Sequence, residues 1–445
     1  MITTALMVAL AAAGGALVSA LISWLPALHV YNVLGLMMMA LYALPAHGAA
    51  VPPELILPFM IGLVVGWAML NTVPSVLLGA PDEGAIFTVL PGQKYLMLGR
   101  GHEGVMMTGI GALAGTFFLV LVMGPLAPKL LPIIRGVMKP HMHWVLWVIT
   151  AFILMSEWPK GGTFGPEGWH RFLDAWRGLA AGLLTFLFSG LLGFILLNRP
   201  PVDPDVAFQN ILPAFVGLFA VPWCLLNIMS AVNPPPQKMA TSLAVNGDVI
   251  LRGTIAGGLG GGFAASFPVI TAGIGGLLAG HSTAQRDERV FIISQGVSKQ
   301  VYYVGAFMMF FVPGLHAARG GGAMMLRTFH TAGSYYEYFM ALASIAIAGA
   351  VAFLMLGPMT RLVIKFIEKF NYRSASWLAL IICLAMVVGI TGLNGLAVML
   401  VATGIGLLPV LFGSRRLNCL GILLLPFACN MSGVGPAIAH FLRLM

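Results

Sequence analysis

Polar side chains embedded in long apolar runs are the places where this 445-residue chain could do chemistry. The densest set follows Arg289: Ser294-Gln295, Ser298-Lys299-Gln300 and Tyr302-Tyr303, set among Val, Ile, Phe and Gly. Gln295 with Lys299, Ser294 with Ser298, and Ser298 with Tyr302 are each four residues apart, so on a helix they form one polar stripe. A helix entering the membrane at Arg289 carries Lys299 about 15 Å inward, at about 1.5 Å per residue, close to the midplane. An ammonium at that depth needs a partner, and a bound anion is one. A helix starting nearer Lys299 would instead leave it at the interface, its stem in lipid and its head in water.

Two further segments are built alike. Gly14-Gly15 leads through about ten small or apolar residues to Pro26 and then His29, with Tyr31 and Asn32 just beyond. Gly257-Gly258 leads in the same way to Pro268 and then Thr271. Proline removes a backbone N–H and ends or kinks a helix. A half-helix restarting after such a break aims free N–H groups and the positive end of its dipole at whatever lies there, which suits an anion. Paired interruptions at corresponding places in two halves of a membrane protein point to a transporter's binding site. Trp67, Asn71 and Ser75 make another i, i+4, i+8 stripe. After it, Asp82 and Glu83 sit among Gly79, Pro81, Pro91 and Gly92 in a segment that resembles a re-entrant element, or else a solvated loop. The two acids are candidates for a coupling cation or proton.

These residues must be held by membrane helices. Apolar residues make up 59% of the chain and charged residues 8%, against about 25% in soluble proteins. That composition excludes a soluble enzyme and a disordered chain. The net charge of +9 fits basic loops against anionic lipid, and no basic run interleaved with aromatics suggests nucleic acid. Cys224, Cys383, Cys419 and Cys429 lie in apolar stretches without metal spacing. No nucleophile–base motif, phosphate loop or dinucleotide fingerprint is present, and Arg319-Gly-Gly-Gly-Ala323 reads as a flexible surface loop. The first 53 residues hold no Asp, Glu, Lys or Arg, an apolar stretch too long for a cleaved leader, so a retained transmembrane element is expected there. Apolar runs of about 20 residues are expected over 1–53 (two), 55–81, 104–128, 140–156, 178–198, 206–237, 253–285 (one or two), 290–315, 338–360, 374–414 (two) and 417–442.

The stretch Pro74-Ser-Val-Leu-Leu-Gly-Ala-Pro81-Asp82, then Leu90-Pro91-Gly92 and Gly99-Arg100-Gly101, resembles the large permease subunit of tripartite tricarboxylate transporters, the TctA-like family, in its divergent archaeal-type branch. Gly404-Ile-Gly406-Leu-Leu-Pro409 and Arg415 to Pro426 are similar as well, so the likeness spans most of the chain. It departs from the family at Pro26-Ala27 and Pro268-Val269, where Pro-Gly is usual, and at Ser294–Tyr303, which replaces a Glu/Ala/Asn-rich signature. The resemblance implies inverted repeats, alternating access and ion-coupled carboxylate uptake.

The resulting expectation is an all-α polytopic protein of the cell membrane, with about 11–14 transmembrane or re-entrant segments in two pseudo-symmetric, inverted repeats, 1–200 and 201–445. It would be a permease, not an enzyme, for a small organic anion such as a di- or tricarboxylate, needing no cofactor and coupled to Na⁺ or H⁺. Substrate contacts are expected from Pro26, His29, Asn32, Asn71, Ser75, Pro268, Thr271, Ser294, Gln295, Ser298 and Lys299, and coupling from Asp82 and Glu83. The expected partners are membrane lipids, a small membrane subunit, a solute-binding protein and a second copy of the chain, with no nucleic acid. The rival reading keeps the fold and changes the cargo to a lipid phosphate, such as a polyprenyl phosphate, moved by a flippase.

Overall fold

A computed structural model describes residues 2–24, 28–43, 51–79, 89–159, 168–202, 211–230, 234–283, 286–315, 317–369 and 372–445. Among these every regular element is helical and no strand occurs, as expected for a chain whose backbone groups must be satisfied within hydrocarbon. The helices are α1 (Ile2–Ile22), α2 (Val30–Ala43), α3 (Pro53–Leu70), α4 (Thr72–Leu77), α5 (Val89–Met97), α6 (Gly101–Phe117) and α7 (Gly124–Met138). There follow α8 (Met142–Met155), α9 (Trp169–Asn198), α10 (Ile211–Phe215), α11 (Val221–Met229), α12 (Gly247–Ser266), α13 (Ala272–Ser282) and α14 (Glu288–Met308). The last are α15 (Gly320–Phe329), α16 (Tyr335–Lys369), α17 (Tyr372–Phe412), α18 (Gly421–Met431) and α19 (Gly435–Phe441).

Seven continuous helical stretches of the described residues are long and apolar enough to cross a membrane: 2–22, 53–77, 101–155, 169–198, 211–229, 335–369 and 372–412. The pair 416–431 and 435–441, bent by 114°, makes an eighth if counted as one broken span. The run 101–155 is 55 residues and 372–412 is 41, each more than the roughly 20 that one crossing takes. The second of these is interrupted at Gly392, whose φ of 67° is not helical. The more polar α12 and α14 are 20 and 21 residues long.

The chain packs as two compact units, each assembled from two separate stretches: 1–135 with 231–375, and 136–230 with 376–445. In the first, α14 is wrapped by α12, α6, α13 and α3. The wrapping is tight because glycines face backbone. A Cβ on Gly296 would run into the carbonyl of Thr108, one on Gly111 into that of Ile293, and one on Gly257 into that of Ser294. Small residues at such contacts let helices approach closely in lipid. In the second unit α9 packs on α18 in the same manner, Gly193 against the carbonyl of Ile422.

One local reading of the sequence is corrected and one is narrowed. Arg319-Gly-Gly-Gly-Ala323 is no loop: Gly320 begins α15, Arg319 being its N-cap residue, and Ala323 and Leu326 are buried. Burying that apolar face outweighs the low helix propensity of glycine. Pro91 and Gly92, left open between a re-entrant element and a solvated loop, fall on a helix. Pro91 is the third residue of α5, in the first turn, where its missing N–H costs nothing, and Gly92 lies against Val76.

If the glycine seams set the helix spacing, Gly296→Ala should destabilise the protein by about 1–3 kcal/mol, the cost of overpacking. Thermal unfolding in detergent would register it, and an unchanged midpoint would mean that α6 and α14 part easily.

Candidate functional site

The site is built on α14, which begins where Arg289 predicts. Asp287 caps it, its Oδ1 accepting the Arg289 backbone N–H at 2.9 Å and its carboxylate taking the Arg289 guanidinium at 2.8 and 3.1 Å. That bonding to Arg289 holds the Asp287 carboxyl below the usual carboxylate range. Glu288 accepts the Lys94 ammonium at 2.7 Å. Inward of this charged collar nearly every residue from Val290 to Met308 is buried. Lys299 is 1% exposed, so it lies inside the protein and does not reach out to solvent.

Lys299 Nζ donates to Asn71 Oδ1 at 2.8 Å. Ser75 Oγ donates to the Asn71 carbonyl at 2.8 Å and reaches Oδ1 at 3.3 Å. Asn71 occupies the short break between α3 and α4, its N–H still bonded to the Trp67 carbonyl. The ammonium also lies 5.3 Å from the Trp67 ring centroid, within cation–π range. The i, i+4 pair Trp67 and Asn71 on α3 thus faces the i, i+4 pair Tyr303 and Lys299 on α14, with the Trp67 and Tyr303 rings 5.3 Å apart and edge-on.

His29 closes this group. Its ring centroid lies 4.3 Å from that of Trp67, its Nε2 lies 3.4 Å from the Tyr303 hydroxyl, and its Nδ1 accepts the Tyr31 backbone N–H at 3.1 Å. The Trp67 indole N–H donates to the Leu28 carbonyl at 3.2 Å. Asn32, one turn on, is buried with no hydrogen-bond partner for its Nδ2.

On another side of α14 the expected break is present. α12 ends at Ser266, Pro268 and Val269 form a turn, and α13 restarts behind Thr271, whose Oγ1 caps the Ile274 N–H at 3.5 Å. Val269 has φ of 59°, a left-handed conformation that glycine adopts without strain. Ser298 Oγ donates to the Ala272 carbonyl at 2.9 Å, so α14 is latched to the first turn of α13. The Gln295 amide rests on Gly276, where a Cβ would fall 2.7 Å from its nitrogen; that nitrogen is buried without an acceptor. Ser294 bonds back to the Phe291 carbonyl at 2.8 Å.

The structure therefore gathers Asn71, Ser75, Lys299 and His29 in one place, and Thr271, Gln295 and Ser298 on the neighbouring face of α14. Pro26, Asp82 and Glu83 lie outside the described residues. Trp67 and Tyr303 join the cluster although neither was named as a contact; each sits four residues from one that was, and that spacing was the available signal. Among the described residues no three His, Cys, Asp or Glu side chains come together as a metal site would need.

A helical chain with this many apolar spans and a broken helix beside a buried polar cluster is a multi-pass protein of the cell membrane, of the transporter class. A profile of the tripartite tricarboxylate transporter TctA family matches residues 9–421, and the chain belongs to that family. The family is one of transporters and not of enzymes, its members being permease components of tripartite systems. An uncharacterized protein of Methanocaldococcus jannaschii is 25% identical over 411 residues, 90% of this chain and 93% of that one, in keeping with an archaeal-type branch. No solved structure matches the chain.

If Lys299 depends on Asn71, Asn71→Leu should cost about 1.5–3 kcal/mol by removing the acceptor of a charged hydrogen bond. Adding Lys299→Met should recover most of the loss, as thermal unfolding of both variants would reveal.

Proposed function

We propose that the chain is the permease of a cation-coupled uptake system for a small organic anion of the carboxylate class, in the first instance a di- or tricarboxylate, working by alternating access. The observation that carries this reading is the contact of Lys299 with Asn71. It joins two long helices through an ammonium in the protein interior, the group a carboxylate would seek. The start of α13, latched to α14 through Ser298, adds the partial positive charge of a helix N-terminus. The Gln295 amide offers a buried N–H to a second oxygen of the substrate. His29, Trp67 and Tyr303 would form the wall against the carbon skeleton.

In this proposal the coupling ion is Na⁺ or H⁺, and Asp82 and Glu83 remain candidates for it from sequence alone. The two sequence halves, 1–200 and 201–445, would be inverted repeats. Family membership supports a small membrane subunit and a solute-binding protein as partners, and the chain could pair with a second copy.

Proteoliposomes carrying the purified chain, alone and with its partner subunits, should accumulate labelled citrate or succinate under an inward Na⁺ or proton gradient. Lys299→Ala should abolish uptake while the protein still folds. Normal uptake by that variant would remove Lys299 from the site. Inversion of a labelled polyprenyl phosphate without any carboxylate uptake would replace the whole reading with the flippase.

A further inference from the structure

Lys299 is a cation held by oxygen, and that oxygen belongs to a break in another helix. α3 ends at Leu70 and α4 begins at Thr72, with Asn71 between them. Asn71 Oδ1 accepts the Lys299 ammonium at 2.8 Å. Ser75 Oγ lies 3.3 Å from the same oxygen and gives its proton to the Asn71 carbonyl at 2.8 Å, so its own lone pairs can serve another donor or a cation. Four residues after Leu70 stands Pro74, which has no N–H to offer the Leu70 carbonyl. That carbonyl lies at the C-terminal end of an 18-residue helix, where the helix dipole is negative. Leu70, Asn71 and Ser75 are 0%, 6% and 0% exposed. Three oxygens without formal charge therefore sit at one interrupted helix end, and a positive charge already rests on one of them.

Carbonyls at the C-terminal end of an interrupted helix are a setting in which membrane transporters hold monovalent cations. The ligand chemistry here selects among cations. Amide and hydroxyl oxygens accept hydrogen bonds but are not proton carriers near neutral pH. Divalent cations are held mainly through carboxylates, and none of these three oxygens belongs to one. We propose that the break between α3 and α4 is a Na⁺ site, and that the Lys299 ammonium fills it as a tethered substitute whenever no carboxylate is bound. The proposal rests on the reading of the chain as a coupled carboxylate permease, and it names the coupling ion.

A substrate carboxylate that binds Lys299 draws the ammonium off Asn71 Oδ1, and Na⁺ takes the oxygens it leaves. The Trp67 ring, whose centroid lies 5.3 Å from the ammonium, offers its face to either cation. Without substrate the ammonium bars Na⁺, because two unit positive charges on one amide oxygen repel. Without Na⁺, moving the ammonium takes a charged donor from a buried acceptor, which opposes carboxylate binding. Each ligand therefore raises the affinity for the other, and one lysine side chain, alternating between two partners, carries the coupling.

Removing the tethered cation should open the site with no substrate present. In detergent, the thermal midpoint of Lys299→Met should be at least about 2 °C higher in NaCl than in choline chloride of equal concentration. The wild type should show no such difference, and Lys299→Met combined with Asn71→Leu should lose it. Lys299→Ala serves if the methionine variant does not fold. A lysine variant indifferent to Na⁺, a wild type stabilised equally by Na⁺ alone, or a double variant that keeps the gain overturns the proposal. By calorimetric titration, succinate should bind the wild type at least about 5-fold more tightly in NaCl than in choline chloride, the lower end of usual coupling effects. Equal affinities overturn it. The two readings fail separately. A Na⁺ response in Lys299→Met, with a wild type that neither binds nor accumulates succinate or citrate, keeps the cation site and sinks the carboxylate reading. Succinate accumulation on a proton gradient in Na⁺-free buffer, with Lys299→Met indifferent to Na⁺, keeps the carboxylate reading and sinks the cation site.

Discussion

A helix that buries a lysine, two glutamines and two serines has to be wrapped on every side by protein that satisfies them, and the rest of the first unit follows from that constraint. α14 is such a helix. Its polar groups find partners on other helices: Asn71 for Lys299, the Ala272 carbonyl for Ser298, and Thr116 for Gln300, whose Nε2 lies 3.2 Å from the threonine hydroxyl. Those bonds need neighbouring backbones to come closer than ordinary side chains allow. Glycine at 111, 257, 261 and 296 meets that need, each facing a backbone carbonyl. The chain's 55 glycines are, at these places, the means by which a polar interior is closed off from lipid.

The compact units do not follow the order of the sequence. Each joins an early stretch to a late one. A contact such as that of Lys299 with Asn71, 228 residues apart, is the ordinary kind of contact in this molecule. The hydrogen bond that Asn418 Nδ2 donates to Glu157 Oε1, between residues 261 apart, is another.

That topology decides what could be read from sequence. Features set by local chemistry were legible. Arg289 marks the start of α14, Pro268 breaks the chain after α12, and Ser75 bonds back to Asn71 four residues earlier. Family membership, the helical class and the membrane setting were legible too, from composition and from motifs spread along the chain. Features set by distant partners were not. Nothing near Glu157 announces Asn418, and Trp67 and Tyr303 look like ordinary buried aromatics until α3 and α14 are seen side by side. The glycines after Arg319 were misread for the same reason: their helix is stabilised by burial against α2, which local propensity does not register.

Val269 has a consequence of its own. A branched side chain held at positive φ stores strain of order 1–3 kcal/mol. That energy is released if the peptide relaxes toward an extended conformation. That strain sits in the connection between α12 and α13, two residues before the Thr271 cap. A glycine at this position would take the same φ without that cost, so the valine makes the connection a place where folding energy is held in the backbone.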